Sequence, residues 1–128
     1  MRCAIANELQ YTITGEYQKG NNRKITFGGT KNKKSISGNT RAGTQVSVAT
    51  SEEVIPLGEV TAAGAYMWVK NLDDTNYVEL RSATGASNDV IRCPAGKEIC
   101  FYWGSDVSAP YWIANTAACL VEYELIPD

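Results

Sequence analysis

The chain has 128 residues, 44% of them apolar, which suits one domain with a real core that needs neither metal nor disulfide. No apolar stretch approaches a membrane span and no signal-peptide hydrophobic region follows Met1, so the protein reads as made and used in a cytosol unless lysis or a specialised route releases it. The net charge of −2 hides a division: residues 18–51 hold Lys19, Arg23, Lys24, Lys31, Lys33, Lys34 and Arg41 and no acid, a sum of +7, against −9 for the remainder.

In chain order, Leu9 to Thr14 alternates apolar and polar, the period of a half-buried strand. Gly15 and Gly20-Asn21-Asn22 punctuate it. From Lys19 to Thr44 the pattern weakens: Ile25-Thr26-Phe27 and Ser35-Ile36-Ser37 are candidate short strands, with Gly28-Gly29 and Gly38-Asn39 as turns. Few large apolar residues and much charge make residues 18–44 an extended basic arm or loop within a single domain of residues 1–128, disordered before it docks. Strand character resumes at Gln45 to Val48. Pro56 supplies no backbone donor, which puts Thr50 to Gly58 at a sheet edge or a strand end.

Gly58 to Leu80 is the organising stretch. Tyr66 to Val69 and Tyr77 to Leu80 are β-prone runs separated by the polar cluster Asn71 to Asn76, a pattern that predicts an antiparallel hairpin. Val90 to Cys93 predicts a strand closed by Pro94-Ala95-Gly96. Lys97 to Trp103 is the most β-prone segment. Gly104 to Asn115 reads as a long loop that displays Tyr111 and Trp112, and Ala117 to Ile126 as a final alternating strand. Eight or nine short strands with frequent turns and no amphipathic helix predict an all-β, antiparallel β-sandwich, jelly-roll-like; a barrel is the competing reading.

The absence of histidine removes the commonest general base and the commonest metal ligand together. Cys3, Cys93, Cys100 and Cys119 include no CxxC pair, and three lie in apolar runs, so they read as buried free thiols rather than a zinc site. Asp73-Asp74 sits in a turn and lacks the facing geometry that two glycosidase carboxylates need. Gly28-Gly29-Thr30-Lys31 lacks the spacing of a phosphate loop. No catalytic residue, cofactor or metal is expected: the chain reads as a non-enzyme. The basic residues suit a protein-docking arm, since the aromatics needed to stack on bases are sparse there and nucleic acid is disfavoured. Tyr111 and Trp112 suit either a subunit contact or a glycan platform.

Four phrases carry a family resemblance: Thr50 to Val60 (TSEEVIPLGEV), Trp68 to Glu79 (WVKNLDDTNYVE), Ala95-Gly96-Lys97, and Ala114 to Ala118 (ANTAA). Together they resemble a group of small structural proteins encoded in tailed bacteriophage genomes, over residues 45–126. The basic first third falls outside the resemblance. The resemblance implies a virion component, made in the host bacterial cytoplasm, with a β-sandwich similar to capsid decoration and tail-associated modules. The expected function is a capsid decoration or cement protein. Its partners would be the major capsid protein and further copies of itself as a small homo-oligomer, a trimer, with no membrane. A neck- or tail-associated structural protein is the alternative, and a glycan-binding module is the alternative of another class.

Overall fold

A computed structural model describes residues 8–21, 23–35, 42–58, 60, 64–85 and 90–127. The described residues are all-β, with ten strands, antiparallel pairing throughout and no helix. The chain divides into two compact units, Met1–Ser37 and Gly38–Asp128.

The first unit is a two-stranded ribbon of β1 (Glu8–Tyr17) and β2 (Ile25–Ser35). Tyr17 pairs with Ile25 and Glu8 with Ser35, and the register slips once, between Thr12 and Thr14. Gly28-Gly29, expected to be a turn, instead leads into a bulge inside one continuous strand: Gly28 pairs with Thr14 and Lys31 with Thr12, so Gly29 and Thr30 together oppose Ile13. Both glycines have positive φ, +75° and +91°, and a side chain at Gly28 would begin 1.9 Å from the Ile13 carbonyl oxygen. The slip needs a backbone that approaches its neighbour this closely, and only glycine supplies one.

The second unit holds β3 (Ala42–Val48), β4 (Glu53–Val54), β5 (Ala65–Asn71), β6 (Val78–Arg81), β7 (Val90–Cys93), β8 (Glu98–Tyr102), β9 (Tyr111–Ala114) and β10 (Cys119–Pro127). They form two four-stranded sheets, in the orders β3-β10-β5-β8 and β4-β9-β6-β7. Every connection except β6–β7 passes from one sheet to the other. Alternation decides which side chains turn inward. Ala65, Met67 and Val69 of β5 and Val121, Tyr123 and Leu125 of β10 are buried, and Val78, Leu80, Trp112 and Ala114 answer them from the other sheet. All belong to one hydrophobic cluster, and the Trp112 and Tyr123 rings meet edge to face at 5.2 Å. The arrangement is consistent with a β-sandwich.

The Gly58 to Leu80 stretch is not a hairpin, because β5 and β6 lie in different sheets. Asn71, fully buried at the end of β5, turns the chain away from its own sheet. Its Nδ2 donates to the carbonyls of Asn76 (2.8 Å) and Cys93 (3.1 Å), while its Oδ1 accepts from the Asp73 amide. Asp73 Oδ2 then accepts from the amides of Thr75 and Asn76. Nor is Gly104 to Asn115 all loop, since Tyr111–Ala114 is β9, paired with β4 and β6.

Candidate functional site

The ribbon is amphipathic by register. Ile13, Gly15 and Tyr17 share one face of β1, and Ile25 and Phe27 are cross-strand partners on that face. Ile13, Tyr17, Ile25 and Phe27 are each more than half exposed, at 59, 57, 55 and 59%. The Phe27 ring lies over Gly15, where an added methyl would stand 1.9 Å from Cζ. Glycine in mid-strand therefore has a purpose: it is the seat of an aromatic ring. The opposite face carries the exposed Thr12, Thr14, Glu16, Thr26 and Lys31.

Six of the seven basic residues lie among the described residues, on the ribbon's two strands and the segment that joins them. Lys19, Arg23 and Lys24 are exposed between the two strands, and Lys24 Nζ reaches Glu16 at 3.1 Å. Lys31, Lys33 and Lys34 lie within β2, opposite Thr12, Gln10 and Leu9. Arg41 lies outside the described residues. The sequence reading missed the partner of these charges: the β1 strand makes them part of a ribbon with an apolar side. The clue was the alternation from Leu9 to Tyr17 itself, which implies one apolar face that Ile25 and Phe27 of β2 extend.

Tyr111 and Trp112 separate. Trp112 is fully buried, contrary to the expected exposed pair, because β9 turns alternate residues inward and Trp112 falls on the core side. Tyr111 is half-buried on the outer side. The thiols separate too. Cys93 and Cys119 are buried and free as expected, whereas Cys100 is free but exposed on β8. Burial pushes the Cys93 and Cys119 thiols above their ordinary pKa. Cys3 lies outside the described residues.

No family model, curated protein or solved structure matches this chain.

One further cluster escaped the sequence reading. Glu79 on β6 faces away from the core yet is 7% exposed, because Arg81 and Arg92 cover it. Its carboxylate accepts from Arg81 Nε at 2.8 Å and Arg92 Nε at 3.1 Å, and Arg92 stacks 4.7 Å from the Tyr77 ring centre. Arg81 also donates to Glu52, which accepts from the Thr84 hydroxyl and the Gly85 amide. The Thr84 hydroxyl, the Gly85 amide and Arg81 hold the Glu52 carboxyl down at about 2. For Glu79, burial pushes upward, but the two guanidinium contacts outweigh it and leave the carboxyl below its usual range. These groups satisfy one another. The network ties the chain before β4 and the loop after β6 to the sheet, and its signal was Glu79-x-Arg81, two alternate residues that share a strand face.

Proposed function

We propose that this chain is a non-enzymatic structural protein of a virion, a capsid decoration protein that binds the shell and stabilises contacts between capsomers. The observation that carries this reading is the basic ribbon with an exposed apolar face. Its unit, Met1–Ser37, sums to +5, and such a surface is built for docking on protein rather than for chemistry. In this reading the ribbon is the basic N-terminal arm. Lys19, Arg23, Lys24, Lys31, Lys33, Lys34 and Arg41 attract it to acidic loops of the major capsid protein, and Ile13, Tyr17, Ile25 and Phe27 supply the contact.

The second unit lends support through architecture. Its strand order, with all but one connection crossing between the sheets, favours a jelly roll over a barrel, and jelly rolls recur in viral capsid domains. That step is an analogy of fold. The phage-like phrases fall on β4, on β5 through β6, and on the approach to β10.

Quantifying the protein against the major capsid protein in purified particles tests the reading. Near parity is expected for a shell-covering protein. A trace amount, constant per particle, would move it to the neck or tail, and absence from particles overturns the proposal. Replacing the seven basic residues by Gln is expected to abolish capsid binding and flatten its salt dependence.

A further inference from the structure

Two faces of this chain are chemically complementary. The ribbon offers Ile13, Tyr17, Ile25 and Phe27, with Lys19 and Arg23 exposed at its turn end. A two-stranded ribbon has no second layer of its own in which to bury such side chains.

The other face is the outer side of the β3-β10-β5-β8 sheet. Register lays its side chains in rows across the strands: Gln45, Glu122, Lys70 and Glu98 in one, Glu124, Trp68 and Cys100 in the next, then Ile126, Tyr66 and Tyr102. Leu120 and Tyr102 stand 46 and 42% exposed towards opposite ends of the strands. Trp68 Nε1 donates to Glu98 Oε2 at 3.2 Å, which holds the indole on the surface of the sheet. The face is thus aromatic and aliphatic, with three glutamates against one lysine.

We propose that copies of this chain assemble by seating the apolar face of one copy's β1–β2 ribbon on this sheet face of a second copy. Charge selects that pairing over the alternatives. Met1–Ser37 sums to +5, and the sheet face carries Glu98, Glu122 and Glu124 against Lys70, so ribbon against ribbon brings like charges together, as does sheet face against sheet face. Ribbon against sheet face joins opposites and stacks two β layers through their apolar sides. The contact is heterologous, since each copy gives one surface and receives the other, and it ends in a small ring when the rotation closes. It is independent of the virion reading: a protein absent from particles still assembles in this way, and one abundant on particles still can prove monomeric.

The test uses the full chain and sedimentation velocity. The wild type is expected to be oligomeric at low salt and to dissociate towards about 0.5 M salt. The ribbon variant Ile13→Ser with Phe27→Ser and the face variant Leu120→Ser with Glu122→Lys are each expected to be monomeric. An equimolar mixture of the two is expected to form a heterodimer, because one intact ribbon and one intact face remain. Near-UV circular dichroism checks that each variant is folded, and Glu98→Lys at the exposed edge strand replaces the face variant should that one fail to fold. A wild type that stays monomeric at every concentration overturns the proposal. So does a mixture that stays monomeric, which points to contacts of like with like, and so does a variant that still assembles alone.

Discussion

At the scale of single residues, the carboxylates separate into those that hold structure and those that merely face water. Glu79 is nearly buried and pairs with two guanidinium groups. Glu79→Ala takes one of two carboxylate partners from Arg81, which keeps Glu52, and a loss of about 1–2 kcal/mol is expected in urea unfolding. Glu52 and Asp73 titrate below their ordinary values, Asp73 because the amides of Asn76 and Thr75 point at its carboxylate. A folded-state pKa below the unfolded one means stability present at neutral pH and lost as acid protonates the group. Melting temperature is therefore expected to hold steady above the usual carboxylate range and to fall from about 4.5 towards about 2, the window that Glu52 spans. Glu52→Gln should flatten that acid limb, and an unchanged limb would remove Glu52 from the account. The turn role of Asp73 was legible in its neighbours, because Asn, Asp and Thr bond locally. The role of Glu52 was not, since Thr84 and Arg81 reach it from the far end of another strand.

At the scale of elements, alternation made most strands readable. Leu9 to Thr14 lies within β1, Ala117 to Ile126 overlaps β10, and Lys97 to Trp103 contains β8. β2 was obscured by Gly28-Gly29, which signals a turn in isolation and becomes a bulge only when β1 lies beside it. Gly28→Ala forces a side chain into the Ile13 carbonyl at positive φ, and a local cost of about 1–3 kcal/mol is expected. Gly15→Ala displaces the Phe27 ring. For both variants, amide exchange in residues 8–35 should quicken while the core of the second unit stays protected. β9 was obscured for the opposite reason: four residues after a Pro-containing loop carry too little pattern to announce a strand. Trp112→Ala is expected to cost about 3–5 kcal/mol, because it empties a fully buried site against Tyr123. Its indole N–H has no partner among the described residues, so Trp112→Phe should cost less than the lost volume alone implies.

At the scale of the whole molecule, the run of short alternating segments announced an all-β protein, and the described residues are all-β. Which strands pair was not legible, because a strand's sequence specifies its two faces and says little about its neighbours. Asn71 shows the gap: it looks like a turn residue, and its amide does serve the turn, yet it also reaches the Cys93 carbonyl and so steers β6 into the other sheet. The interleaved order has a consequence in time. β10, last of the described strands, lies between β3 and β5, so the interior of its sheet stays open until β10 arrives. Strands far apart in sequence must meet before either sheet gains its centre, and such long loop closures are slow. On the ribosome, Met67 and Val69 would wait with their apolar sides uncovered while β6 to β9 are made. Folding of this unit is then a single late event rather than a strand-by-strand accretion, with chaperone demand concentrated in the interval before β10 closes the gap.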